Sequence, residues 1–495
     1  MIIADHLARQ GLLHPRRRAL RHGDAALDYG RLAIEARRVG ARLQALGVSR
    51  RTPLAMLCEN RLDVMVGYYA TAAIGAVFVP INPSLSPPEV AYIVEHCEAR
   101  LLVHDDAMAA TAGAAVAAAQ RAPLAALLDG EEAPPLEVPA IAADDDFLII
   151  YTSGTTGTPK AVVFSQRAEF AGNAALIEMW GITNADVTLV ALPLGFLYGL
   201  STAAAAGLQA GGEVVVLRRF HPREVLEALV AHRASVFHGV PTMFSMMLDY
   251  AEQNRLDVDL SFMRLLICAG APLPKELKTR FAALFRKPID DYYALTEVRP
   301  VFGRRWNEPA PPPGAIGRAA PGAEIRIVGP DGQDLPAGAQ GELLVRAGST
   351  LSRYHRNEAL TASALTDGFF RTGDLGTRDA DGFYVLTGRI KDIIIRGGAN
   401  IAPAEVEEAI LRHASVQAAA VIGVPDTRYG EIVVAFVVGR AGQAPDAAAL
   451  EAHCRGMLAE FKVPARFTAL DALPQGSTGK VDKKALLRLW TEQRP

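Results

Sequence analysis

The sequence has 495 residues, of which 50% are hydrophobic and 21% charged, and a formal net charge of −3. Single cores stop growing at roughly 250–300 residues, so division into two or three domains is expected, and the near-neutral balance lacks the basic footprint that nucleic acid or an anionic membrane would need. Four cysteines, Cys58, Cys97, Cys268 and Cys454, lie far apart with no CxxC and no histidine at metal spacing, which predicts reduced, buried thiols instead of disulfides or zinc.

In chain order, the opening MIIADHLARQG carries Asp5 and no sustained apolar run, so no signal peptide is expected. No window reaches about 18 uninterrupted apolar residues and the closing EQRP carries no address signal, so the expectation is a cytoplasmic protein with no membrane span. Residues 31–49 place Leu32, Ala36, Val39, Leu43 and Leu46 at helical spacing, and Pro53–Cys58 (PLAMLC) follows as a buried strand. A helix around Val64–Ile74, the run AVFVPINP and a helix before LLVHD repeat the alternation, which is the pattern of a parallel sheet with crossover helices. Residues 108–143, rich in alanine and proline, read as variable surface material with one helix and no chemistry.

A second alternation begins at Phe147 with FLIIY, a loop, AVVFS and a helix, and continues through VTLVALPL, GEVVVLR, PREVLEALVAH, ASVFHGV, TMFSMMLDYAEQN and LLICAG. From Gly314 to Val385 short strands separated by PGAE, GPDGQD, PAGAQG and DADG predict a small β-rich unit. The remainder mixes helix and strand (AEVEEAILRH, AAAVIGVP, IVVAFVVG, LEAHCRGML), and Gly388–Asp392 (GRIKD), short and polar between two strands, is the candidate boundary and hinge.

The loop in this second alternation reads YTSGTTGTPK over Tyr151–Lys160. Its glycines let a backbone approach a ligand, its hydroxyls and N–H groups donate, and Lys160 adds a point charge, so a polyphosphate is the natural guest. It is not the Walker pattern, because the lysine follows Thr-Pro and no Ser or Thr comes after it. Standing alone, such a string reads equally well as a flexible turn.

The complete string resembles the signature loop of the acyl-adenylate-forming enzymes: acyl-CoA synthetases, adenylation domains of peptide synthetases, and luciferases. DYYALTE (291–297), GEL (341–343), DGFFRTGDL (367–375), GRIKDIIIRGGANIAPAEVE (388–407) and PQGSTGK (474–480) resemble the family's other core motifs, in its order. The resemblance covers the chain from about residue 25 onward and is most like a bacterial acyl-CoA synthetase. It implies an α/β protein with a large N-terminal domain, residues 1–388, of two stacked α/β sheet subdomains plus a small β-rich subdomain. A hinge at 389–391 and a small, mobile α+β C-terminal domain, 392–495, would follow.

Activating a carboxylate means letting it attack the α-phosphate of ATP, so cations and donors must stand where charge builds up. By resemblance, Thr152, Ser153, Gly154, Thr155, Thr156, Gly157 and Lys160 would hold the β- and γ-phosphates, Thr296 would donate to the α-phosphate, and Glu297 would hold Mg2+. Asp374 would accept the ribose hydroxyls, with Arg389 on the sugar or phosphate. Tyr293 would offer a face to adenine, Asp291 would accept from its amine, and Gly270, Ala271 and Pro272 would wall the other side. Lys480, which read alone is a solvated lysine in a tail, would bridge carboxylate and α-phosphate. Rotation about Lys391 would then withdraw it and bring Gly397 and Gly398 to line a thiol channel for CoA or a carrier's phosphopantetheine. Read without the resemblance, Thr-Glu is a helix N-cap, Asp-Gly strings are turns, Tyr-Tyr is core and Gly-Gly is a hairpin turn.

Three positions depart from the family pattern. Gly195-Phe196 stands where an aromatic–histidine pair is usual, Ala294 replaces a common glycine, and Arg299 stands where a small residue is common. Arg299 is expected to face solvent, or else to bind a second carboxylate of a dicarboxylic substrate. The acyl pocket would be lined by Phe196, Tyr198, His238, Gly239, Met243, Ala269, Gly270, Val298, Arg299 and Phe302. Its apolar character favours an aromatic or medium-length aliphatic acid over an amino acid, with His238 either a polar handle or a satisfied core histidine.

The expected activity is ATP- and Mg2+-dependent carboxylate:CoA ligation through an acyl-AMP, by a monomer or homodimer. The alternatives are an adenylation enzyme loading a carrier protein in trans, and a nucleotide-binding regulatory protein that kept the fold and lost the chemistry.

Overall fold

The computed structural model describes residues 2–129, 134–152, 159–440, 445–475 and 481–492. The chain divides into two units, one of residues 1–311, 316–325 and 345–370, the other of 312–315, 326–344 and 371–495.

The first unit is built on two sheets. A nine-stranded sheet has a parallel centre in which Asp290–Tyr293, Leu265–Cys268, Val236–Gly239, Val187–Val190 and Glu213–Val216 lie side by side. These are the apolar runs read as strands from the sequence, and their near-continuous burial follows from helices covering both faces. The seven-stranded sheet is parallel through Pro53–Leu57, Val77–Ile81 and Leu101–His104, but Asp146–Thr152 and Lys160–Ser165 pair antiparallel. That pair departs from the parallel alternation because a connection of so few residues cannot carry a crossover.

Helix Gln166–Trp180 touches both sheets: it packs on the 146–152 and 160–165 strands, and its Leu176, Met179 and Trp180 share a core with Val236, Leu265 and Ile267. Ser165 caps it by accepting from Ala168 N, and Gly181 ends it with φ 57° and ψ 38°, a conformation glycine adopts without strain. The described residues of 108–143 hold two short α-helices, Ala109–Ala115 and Leu124–Leu128, where the sequence predicted one; alanine repeats give no apolar period to mark a break. All four cysteines are buried and unpaired, as expected.

The run after LPLGF forms a π-helix, Tyr198–Ala205, passing into helix Ala206–Gln209, which sequence periodicity did not reveal. In the second unit, Phe369–Arg378 pairs antiparallel with Tyr384–Arg389. Residues 394–470 form a five-stranded sheet around the long hairpin Val416–Asp426/Gly430–Gly439, with helices Pro403–Leu411 and Ala447–Arg455 on its core. Among the described residues no helix is long and apolar enough to cross a membrane.

Candidate active site

In open parallel sheets ligands bind beyond the carboxyl ends of the strands, and three adjacent strands bring expected site residues to that edge. Asp291 and Tyr293 end one strand, Ala269 to Pro272 follow its neighbour, and His238 and Gly239 end the third, with Cys268 opposite Asp291 and Gly239 opposite Cys268. Gly270 has φ +90°, so its place in the turn requires glycine. Phe302, expected in the acyl pocket, is buried on an antiparallel strand and stacks on Tyr293 with ring centroids 4.7 Å apart. Asp291 Oδ1 accepts from Lys278 Nζ at 2.7 Å, a partner the sequence did not indicate.

Thr152 and Lys160 face each other across the hairpin at the mouth of the loop. Ser153, Gly154, Thr155, Thr156 and Gly157 lie outside the described residues, as does Lys480. Lys160 Nζ stands 5.6 Å from the centroid of the Tyr354 ring, and the Tyr354 hydroxyl donates to Glu297 Oε1 at 2.8 Å. Tyr354 sits on a two-residue edge strand, Arg353–Tyr354, paired with Lys160–Ser165 and anchored by Arg353 on Asp146. Burial and the Glu297 carboxylate push its phenol pKa well above the ordinary value, so it stays a donor. Leu351 N donates to Glu297 O at 2.8 Å, so the 294–298 loop is stitched to the same segment.

Thr296 and Glu297 are both half-exposed. No cation pairs with Glu297 among the described residues, and one of its oxygens is already oriented by Tyr354. A hard divalent ion that takes one protein carboxylate and completes its shell with phosphate and water fits this donor.

Arg299 does not face solvent. Its side chain is 1% exposed and paired with Glu169, at 0%, because a fully buried carboxylate on helix Gln166–Trp180 needs a cation. Ser201 joins this pair, Tyr68 OH donates to Glu169 at 2.8 Å, and the guanidinium lies over the Phe164 ring at 5.2 Å. Its charge is therefore committed within the protein. Glu169, Ser201, Tyr68 and Tyr354 were all missed from the sequence, where each lies far from its partner and matches no local pattern.

The other departures have local causes. A Cβ at Gly195 would lie 2.6 Å from Asn82 Cα and 2.8 Å from Ile81 O, so only glycine fits, and Asn60 fixes the loop by bonding Leu192 O at 2.9 Å and Leu194 N at 2.7 Å. Phe196 beside it is half-buried, and Tyr198 OH reaches Gly239 O and Ile267 O, each at 3.3 Å. Ala269, Ala294, Tyr198 and Ile267 pack in one cluster with Trp180, whose ring meets that of His238 at 5.2 Å. Met243 belongs to the core on the opposite face of the sheet, which Tyr198 also touches, and Val298 is fully buried.

In the second unit Asp374 and Arg389 are partners across the 369–378/384–389 pairing, with Arg389 Nε 2.8 Å from Asp374 Oδ1, and Asp374 is 4% exposed. Gly397 (φ 57°) and Gly398 (φ 84°) make the two-residue turn between Ile394–Arg396 and Ala399–Ile401, a conformation that suits glycine at both positions. Lys391 lies in the short turn Ile390–Asp392. If Asp374 holds the ribose, Asp374→Ala should raise KM for ATP about tenfold or more with the circular dichroism unchanged; an unaltered KM would remove it from that role.

The sequence pattern of the AMP-binding enzyme family matches residues 7–355, and that of the AMP-binding enzyme C-terminal domain matches residues 405–480. The chain belongs to this family, the acyl-adenylate-forming enzymes, as the motif resemblance implied. It is 35% identical to the sulfoacetate–CoA ligase of Cupriavidus necator, over 93% of this chain and 92% of that one, and 34% identical to a feruloyl-CoA synthase from an Amycolatopsis species over 97% of each. Its fold matches ATP-bound MatB from Rhodopseudomonas palustris with a TM-score of 0.92, at 30% identity and 99% coverage of both chains. The chain is an AMP-forming acid–thiol ligase that uses ATP, with the mixed α/β architecture and small C-terminal domain of its family.

Proposed function

We propose that the enzyme is a carboxylate:CoA ligase acting on an aromatic or medium-chain aliphatic acid. The observation that carries this reading is the grouping of Thr152 and Lys160 with Glu297 about Tyr354, which offers phosphate donors and a metal carboxylate in one place. Its relatives are named as CoA ligases of feruloyl and sulfoacetate substrates, which supports CoA as acceptor and leaves the acid to the pocket. That pocket is largely apolar, and Arg299 is already neutralised by Glu169, which disfavours a dicarboxylic acid.

In the first half-reaction a carboxylate oxygen attacks the α-phosphorus of ATP and pyrophosphate leaves. Lys160 and Thr152 hold the departing phosphates, Thr296 donates to the α-phosphate, and Lys480 neutralises the approach of the two anions. Mg2+ at Glu297 would supply positive charge to the polyphosphate. Asp374 and Arg389 position the ribose, with Tyr293 beside the base. In the second half-reaction a thiolate, having given up its proton, attacks the acyl carbon and AMP leaves, with Gly397 and Gly398 along the thiol path and 389–391 as the hinge.

Acid-dependent exchange of labelled pyrophosphate into ATP tests the first step, and Lys480→Ala should lower it at least a hundredfold without changing the melting temperature. Exchange surviving in that variant would refute the assignment. Product analysis with CoA and with phosphopantetheinylated carrier proteins decides the acceptor, and turnover with carriers alone would overturn the CoA reading.

A further inference from the structure

His238 is a buried polar group of the first unit that lies at the edge where the expected site residues gather. It is 1% exposed at the carboxyl end of strand Val236–Gly239, and neither of its ring nitrogens has a hydrogen-bond partner among the described residues. A buried donor and acceptor left unmade are unfavourable, whereas an apolar side chain of similar shape there would carry no such penalty. Burial in apolar surroundings pushes its pKa down to about 3, so at neutral pH the ring is uncharged, with one nitrogen donating and the other accepting.

Its surroundings define what could satisfy it. Strand alternation turns His238 to the same face as Val236, which belongs to the cluster containing Trp180, Tyr292, Ala269 and Ala294. The His238 ring meets Trp180 at 5.2 Å and Tyr198 at 5.7 Å, both edge-on, and Trp180 and Tyr292 meet at 5.0 Å. The Tyr198 hydroxyl donates its proton toward Gly239 O and Ile267 O and makes no bond to the imidazole. Ala269 and Ala294 belong to the same cluster, so the imidazole is one neutral hydrogen-bonding group among aromatic and small apolar side chains.

We propose that His238 reads the end of the acid remote from its carboxylate, and that the substrate is an aromatic carboxylic acid bearing a ring hydroxyl. The proposal rests on the ligase reading above and narrows it. The ring packs edge-to-face against Trp180 and Tyr198, and its hydroxyl pairs with one imidazole nitrogen, either donating to the unprotonated one or accepting from the N–H. A second carboxylate or a sulfonate would be buried without a cation, and an unsubstituted ring or alkyl chain would leave both nitrogens unpaired, so both are disfavoured.

The test compares kcat/KM, with CoA and ATP saturating, for matched pairs with and without a ring hydroxyl (benzoates, phenylacetates, phenylpropenoates), alongside hexanoate, a dicarboxylate and a sulfonated acid. The wild type should favour the hydroxylated member of at least one pair by about thirtyfold or more, and His238→Leu should reduce that ratio to about threefold while still turning over the unsubstituted acid. His238→Gln, which keeps a donor and an acceptor, should retain part of the preference, and His238→Leu should melt at or above the wild-type temperature. A hydroxyl preference that survives in His238→Leu, or a wild type that prefers the unsubstituted, dicarboxylic or sulfonated acids, overturns the proposal alone. Absence of acid-dependent pyrophosphate exchange with every acid overturns the ligase reading and this proposal together.

Discussion

Replacing Arg299 by methionine should destabilise the protein by about 3–5 kcal/mol, read as a lower urea midpoint, because it strands the Glu169 carboxylate in the core. Glu169 is fully buried, and among the described residues its donors besides Arg299 are neutral, including Tyr68 at 2.8 Å and Asn173 at 3.4 Å, which stabilise an ion far less than a guanidinium does. The cost comes from breaking the pair. A double variant, Glu169→Leu with Arg299→Met, should recover most of the lost stability, since a buried ion pair replaced by packed apolar side chains is often neutral. The single variant should also lose activity, because Arg299 stands two residues beyond Glu297 and its backbone N–H donates to Ser349 Oγ at 3.2 Å, which fixes the loop carrying Thr296 and Glu297. A single variant as stable as the wild type would show that the pair contributes nothing to stability.

Tyr354→Phe should raise the Mg2+ concentration for half-maximal pyrophosphate exchange by about tenfold while the acid KM stays unchanged. The substitution removes only the hydroxyl that orients Glu297 Oε1 and leaves the ring beneath Lys160. Electron paramagnetic resonance of Mn2+ titrated into the protein with ATP gives a readout independent of turnover, and it should show weaker binding in Tyr354→Phe and still weaker binding in Glu297→Gln. Tyr354→Leu, which also removes the ring, should add a rise in KM for ATP. Metal dependence identical to wild type in Tyr354→Phe would mean that Glu297 is held by its backbone alone.

How much was legible beforehand differs by element. Strands such as LLIC, VFHG and VTLV and helices such as PREVLEALVAH announce themselves because burial on a sheet and amphipathicity on a helix leave periods within a few residues. The π-helix at 198–205 leaves no such period, since STAAAA is uniformly small. Arg299 was expected at the surface because isolated arginines usually are, and the carboxylate that draws it inward is 130 residues earlier in the chain. The Gly-Gly turn at 397–398 matches what the two residues suggest without the resemblance, because positive φ at two successive residues is a local demand.

The sequence by itself determined the family, and with it the acid-activating chemistry, because the family's motifs are short contiguous strings such as YTSGTTGTPK and RTGDL that can be read directly from the linear chain. Only the tertiary structure decided that Tyr354 ties Glu297 to the strand that begins at Lys160, that Glu169 consumes the charge of Arg299, and that His238 lies among aromatic rings with no hydrogen-bond partner among the described residues. Those contacts join residues from separate strands and helices, and a side chain's burial and partners are set by what the fold places opposite it, which no neighbour in sequence records.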